Sequence, residues 1–535
     1  MERAGVKCPT SQTGDVTRLL KVLQEATRAT PSGESQVYIP PPGGDKADAR
    51  YHHLIFGQRG SGKSTLMRFM QRERKARKQV AAWVDQEVFS ALSYPDVLVS
   101  CVEAVMHDAA VALRGSMSAE KEILNWWRSL AYRPPAPLRG LLEALEVSEA
   151  NLRILKFAER ERRIEWTRSA GSSSSTERIG TLTLGPTNTR LEGRSRRGKS
   201  QTEGFQVSEV VESRKDDFLE RVLPEFRELL RAASEHCGGG YIFLDDVYML
   251  SREDQPRVLG YMHRLVKDSG LWLKIGTIRY LSTTYTTRPA PQGIQEGQDA
   301  KSVALDAGLR RLNTAQQFLE QILRGLGEKA EVELDRVFNP QSLGRMALAS
   351  GCVARDYLEI AAEAIEQARN RPETKKSGFE RVTVEDVNAA ARTLAPSKMK
   401  DLEADAPTEA AELRVLVSDL TAFCQAQDSA YFLVSASDQL LSRQMDALQH
   451  LRFAHLIDED ETIPDPGSGK FDVWLLDLSQ LSATRGNRAM DFEGWQKREK
   501  RRRRALVFTR NAESQRHPSR SRDEALFEYE ESGGD

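Results

Sequence analysis

The stretch LIFGQRGSGKSTLMRFM, Leu54 to Met70, limits what this chain can fold into more than any other part of it. A short apolar run, His52 to Phe56, meets a glycine-rich turn, and the residues after the turn carry a helical pattern. Gly57, Gly60 and Gly62, followed by Lys63 and Ser64, satisfy the spacing GxxxxGK followed by Ser or Thr, in the strand-to-helix context that spacing requires. Glycines let consecutive backbone N–H groups turn inward onto phosphate oxygens, and the helix that starts there adds the positive end of its dipole. The expected cradle is Gly57, Gln58, Arg59, Gly60, Ser61, Gly62, Lys63, Ser64 and Thr65. Lys63 supplies a mobile cation and Ser64 a hydroxyl for a metal ion.

Such a loop needs a second carboxylate at the end of a neighbouring strand to hold the metal's water shell. GGGYIFLDD ends that way, so Asp245 is expected on the metal side with Ser64, and Asp246 beside the γ-phosphate, where an attacking water sits. The expected ligands are therefore ATP and Mg²⁺. The strand LWLKIGTIR brings Thr277 and Arg279 to its carboxyl end, the edge where an open parallel sheet holds ligands. Thr277 is placed to position water and Arg279 to touch phosphate. Farther on, ASGCVARDYL sets Arg355 at a helix start, from which it can reach a γ-phosphate.

Apolar runs at 52–56, 79–85, 238–246, 271–279 and 302–306 alternate with helical segments, the pattern of a parallel sheet with crossover helices. The expected fold class is α/β: a P-loop NTPase sheet, a helical lid, then a winged helix. The expected divisions are a helical segment at 1–36, the core at 37–310, the lid at 311–396, the winged helix at 402–480 and a charged, disordered tail at 481–535. Residues 170–203, rich in serine, glycine and arginine, are expected to be a flexible insertion in the core. In the lid, Thr383 caps the segment TVEDVNAAARTL. After it, 412–426 and 438–451 are expected to be helices, then 452–458 and 470–478 strands.

Lys plus Arg, 77, nearly balances Asp plus Glu, 78, so attraction to nucleic acid must come from local runs. Two such runs exist, Arg194 to Lys199 and Lys497 to Arg504. Five scattered cysteines with no CxxC pair argue against a disulfide framework or zinc site and fit a reducing cytoplasm. The chain lacks a signal-peptide pattern and any apolar run of about 18 residues, so no membrane association is expected.

The two motif segments and their order resemble the AAA+ and STAND branch of P-loop ATPases, in organisation the origin recognition and initiator-loader ATPases, over about Val37 to Leu478. The resemblance implies a sensor arginine in the lid, matched by Arg355 in GCVAR, and a polar sensor in the strand after the acidic pair, matched by Thr277. Most AAA+ members carry Glu where this chain has Asp246; FLDDVY followed by KIGTIR looks more like STAND ATPases, which implies slow hydrolysis and switch behaviour. The resemblance also implies homo-oligomers on ATP binding and an arginine finger from a neighbour, for which Arg288, Arg310 and Arg311 are candidates. It further implies DNA contact through the second helix of the winged helix, here offering Arg443, Gln444, Gln449 and His450, with an acidic wing better suited to a protein. Two expectations follow: a loader-like ATPase assembling on duplex DNA or a protein, and a regulatory switch gating a protein effector, for example in a bacterial defence or mobile-element operon.

Overall fold

A computed structural model describes residues 9–27, 38–123, 135–157, 163–170, 178–183, 205–212, 215–305, 308–371, 379–405, 409–463, 469–481, 496–497 and 506–510. The chain forms two compact units, one of Gly43–Gly57 with Lys63–Leu305, the other of Met1–Pro42, Gln58–Gly62 and Asp306–Asp535.

The first unit is built on five parallel strands: His53–Phe56, Val80–Asp85, Gly240–Asp245, Leu271–Thr277 and Lys301–Ala304. These are the five apolar runs of the sequence. The order across the sheet is 301–304, 53–56, 271–277, 240–245, 80–85. The Thr277 strand therefore lies between the strand that enters the glycine-rich loop and the strand that ends in Asp245, with Thr277 in register with Phe56. The interior strands read as continuous apolar runs because helices cover both faces of a parallel sheet. Helix Lys63–Ala76 packs on three of the strands through Leu66, Met67 and Met70. Helices Asp96–Ile123, Ala136–Phe157, Lys215–Cys237 and Asp254–Val266 complete the core, with Val102, Phe226, Leu230, Leu259 and Ile275 inside it.

The segment read as a flexible insertion contributes to a small antiparallel sheet. Arg178–Thr183 pairs with Arg163–Ala170, which pairs in turn with Phe205–Glu212. The basic run Arg194 to Lys199 lies outside the described residues.

In the second unit, helix Pro9–Ala26 packs on helix Ala354–Asn370 through an apolar stripe that includes Val16, Leu19 and Leu23. Helices Leu312–Lys329, Pro340–Ala349, Val384–Thr393 and Ala395–Asp405 surround the same core. Thr383 caps as its position suggests: it accepts from the Asp386 N–H, and the Asp386 carboxylate accepts from the Thr383 N–H. Next come helix Ala410–Ala426 and helix Gln439–His450 against a three-stranded antiparallel sheet of Tyr431–Ser435, Phe471–Leu476 and Ala454–Glu461. Strand Tyr431–Ser435 was absent from the sequence-based expectation. Five tail residues, Leu506–Arg510, lie along it: the Phe508 N–H donates to Leu433 O, and its ring meets Phe423 and Phe432. Of the basic run 497–504 only Lys497 lies among the described residues. No helix among the described residues is long and apolar enough to cross a membrane.

Candidate nucleotide site

The glycine-rich loop leaves the sheet at Phe56 and becomes helical at Lys63. Gly60 and Gly62 have φ of 82° and 92°, a left-handed backbone that side chains disfavour. Gly57, Gln58, Ser61 and Lys63 are buried, while Arg59, Ser64 and Thr65 are half-buried. The Lys63 ammonium folds back onto its own loop and donates to Gly57 O at 2.8 Å. Among the described residues the buried Ser61 hydroxyl has no hydrogen-bond partner, which costs about 1–3 kcal/mol and suits a loop that receives a polar ligand. These residues fit a phosphate group.

Asp245 and Asp85 end neighbouring strands in register. Asp245 is 4 % exposed, its Oδ1 accepts from the Asp246 N–H at 3.1 Å, and Ser64 hydrogen-bonds its carboxyl. Burial, then repulsion from Asp246, raises its pKa from 3.8 to about 7 against the opposing pull of Ser64 and Lys63. The carboxyl has room only because Gly276 stands beside it: a Cβ there would come within 2.7 Å of Asp245 Oδ1 and 2.8 Å of Met67 Cε. A divalent cation between Ser64 and Asp245 would favour the ionised form that burial opposes.

Asp246 follows in the left-handed region, φ 52°. It forms with Asp85 and Glu87 a trio whose ligand oxygens lie within 4.8 Å of one another, among the described residues the one cluster of three or more His, Cys, Asp or Glu side chains so closely spaced. Asp85 and Glu87 escaped the sequence reading, although the acid closing VAAWVD was a visible signal. Arg68 sits nearby with its guanidinium 3.4 Å from the Trp83 ring centroid, in the field of Asp245 and Asp85.

Thr277 is fully buried and hydrogen-bonds Ser282. Ser282 Oγ donates to Ile278 O at 2.7 Å, so the one proton of the Thr277 hydroxyl goes to Ser282 and Thr277 offers only acceptor lone pairs. Arg279 is held otherwise than the sequence suggests. Its guanidinium lies 4.0 Å over the Phe56 ring and makes a two-pronged pair with Glu296 at 2.9 and 3.1 Å. Within the second unit, the exposed residue Arg355 meets the loop through its backbone: its N–H donates to Gly60 O at 3.2 Å. Of the finger candidates, Arg288, Arg310 and Arg311 are all exposed, and Arg310 pairs with Asp458 at 3.4 Å.

In the candidate DNA-reading helix, Gln444 and His450 face inward, with Gln444 donating to Glu412 at 2.6 Å; Arg443 is exposed and Gln449 half-buried. The acids around this helix crowd one another. Burial, then Asp472 and Glu459, raises the pKa of Asp446, and burial with Glu459 and Asp460 raises that of Asp472.

Scans against protein-family models, curated proteins and solved structures return no match for this chain.

Proposed function

We propose that this chain binds ATP with Mg²⁺, hydrolyses it slowly, and uses the nucleotide state to govern assembly with a partner. The observation that carries the reading is the buried Asp245 carboxyl hydrogen-bonded to Ser64 at the head of the loop helix, with the Thr277 strand between the two motif strands. In this reading the loop and Lys63 hold the phosphates, and Ser64 and Asp245 hold the metal. Water attacks the γ-phosphorus, the bond to the β–γ bridging oxygen breaks, and the water's proton passes to Asp246. Thr277 accepts a hydrogen bond from that water. Slow turnover follows from Asp246 being short and sharing its site with Asp85 and Glu87.

The helices between Leu312 and Thr393 act as an AAA+-type lid, and Ala410 to Leu476 as a winged helix. The crowded acids around helix Gln439–His450 favour a basic protein surface as partner, since phosphate contact dominates DNA affinity. Duplex DNA is the second reading and rests on the two basic runs of the sequence. A regulatory switch gating a protein effector differs from both in retaining one nucleotide. Homo-oligomer formation on ATP, tested by light scattering, belongs to the same proposal.

The test is ATP turnover by the purified chain, alone and with duplex DNA, beside Lys63→Ala and Asp246→Ala. Slow turnover lost in both variants and indifferent to DNA supports an ATPase with a protein partner. Stimulation by DNA moves the partner to nucleic acid, a single retained nucleotide selects the switch, and absence of ATP binding removes the proposal.

A further inference from the structure

The start of helix Ala354–Asn370 is held from two sides. Its cap residue Val353 makes no side-chain capping bond, so the first N–H groups of the helix need partners from elsewhere. The Arg355 N–H finds one in Gly60 O of the glycine-rich loop. The contact is close: a Cβ on Gly60 would lie 2.5 Å from Arg355 Cβ and 3.3 Å from Val353 Cγ1.

The next residue, Asp356, is 1 % exposed and points into a buried set of charges. Its Oδ1 accepts from Arg452 Nη1 at 2.5 Å, and Lys398 Nζ stands 3.9 Å from its Oδ2. Arg452 also donates to Asp401 at 2.8 Å. Lys398 pairs with the fully buried Asp477 at 2.8 Å, and His455 Nε2 contacts the same Asp477 oxygen at 3.0 Å. The His455 ring rests on the turn before the helix, where a Cβ at Gly351 would collide with it. Asp356 belongs to the helix bundle, Lys398 and Asp401 to helix Ala395–Asp405, and Arg452, His455 and Asp477 to the three-stranded sheet and its connections. Breaking one partner of such a buried pair costs about 3–5 kcal/mol, so the set tolerates one arrangement and resists intermediates.

Resting on the ATP reading above, we infer that Asp356, Arg452, Lys398 and Asp477 are positioning residues for the nucleotide loop. They tie the placement of Arg355 against Gly60 to the docking of the sheet 431–476. Nucleotide that shifts Gly60 must then work against the buried charges, and by reciprocity the docked sheet changes nucleotide affinity by the same factor.

The experiment uses the full chain and measures Mg·ATP affinity by calorimetry, together with hydrogen exchange of 431–476 with and without Mg·ATP. Wild type is compared with Arg452→Lys and with the double variant Asp356→Asn/Arg452→Met, which removes an acid and a base together. The expected result is altered exchange in 431–476 when wild type binds Mg·ATP. The double variant should change affinity about 5- to 150-fold and lose the exchange response, with Arg452→Lys retaining part of both. A merely structural pair would alter melting and leave these two readouts alone. If the double variant does not fold, His455→Gln, which keeps a donor to Asp477 without the ring on Gly351, is read the same way. Unchanged affinity and exchange response in a folded variant overturn the inference and leave the ATPase standing. Wild type that binds no Mg·ATP overturns both, and that failure is visible before any variant is made.

Discussion

Asp245→Asn is expected to make the nucleotide-free protein more stable while removing its response to Mg·ATP. The Asp245 pKa rises from 3.8 to about 7, chiefly through burial and then through Asp246. A folded-state pKa above the unfolded one means that the native chain holds a proton which the unfolded chain has released between those values. Stability is therefore fully present below the unfolded pKa and is lost as pH rises through the folded one. Three units of difference correspond to about 4 kcal/mol lost by about pH 8. Asn is the neutral isostere: its amide oxygen can accept from the Asp246 N–H, and it removes the charge that Asp246 and Asp85 oppose.

The assay is urea unfolding of wild type and Asp245→Asn at about pH 4 and about pH 8, without and with Mg·ATP. Near pH 8 the variant should gain up to about 4 kcal/mol, and near pH 4 close to nothing. With ligand at about 100 times its Kd, wild type should gain about 2.7 kcal/mol and the variant much less. A variant less stable than wild type near pH 8, or a gain independent of pH, would refute the claim that burial strains this carboxylate.

Gly276→Ala should cost about 1–3 kcal/mol by overpacking, and should weaken Mg²⁺-dependent ATP binding because its Cβ would press on Asp245 Oδ1 and Met67 Cε; a melt and a titration check the two effects. Lys274 is fully buried, bonded to Ala49 O, Tyr51 O and His53 Nδ1, and burial lowers its pKa from 10.5 to about 7. A depressed ammonium makes stability rise with pH between those values, by up to about 1.4 kcal/mol per unit, and Lys274→Met should flatten that slope in pH-dependent unfolding. Thr383→Ala should cost about 1 kcal/mol through the lost cap, read from unfolding. Glu296→Gln should change stability by less than about 1 kcal/mol, since the pair it breaks is exposed, yet tighten ATP binding by releasing Arg279; an unchanged Kd would remove Arg279 from the phosphate site.

The central strands were legible because a strand covered on both faces is apolar throughout and bounded by turn residues. YFLVS is as apolar, but it follows helix Ala410–Ala426 so closely that periodicity alone could not separate the two. The strands RIEWTRSA and FQVSEVVE carry polar residues throughout, and the serine-rich chain between them drew the reading toward disorder. The inward face of helix Gln439–His450 was recoverable. Leu441, Gln444, Met445 and Leu448 stand at helical spacing, so Gln444 shares the core stripe with its apolar neighbours and cannot read a base edge.

The site divides along the same physical line. The loop from Gly57 to Thr65 is a local object, with spacing, backbone and helix start all inside one short stretch, and a single sequence can show it. Asp85, Gly276 and Glu296 matter through spatial neighbours: strands far apart in sequence pair Asp85 with Asp245 and leave Asp245 the space at Gly276, and the chain between Thr277 and Lys301 brings Glu296 back to Arg279. Residue types show which groups have the required chemistry; pairing determines what restrains them. Arg279 was a phosphate ligand by position, and in the fold its guanidinium is committed to Glu296 and Phe56. For it to reach a phosphate, an exposed ion pair worth about 1 kcal/mol or less must open, an amount that one charge-assisted hydrogen bond to a phosphate oxygen offsets. The carboxylate therefore restrains Arg279 without disabling it, which is why the strength of ATP binding in Glu296→Gln decides the arginine's role.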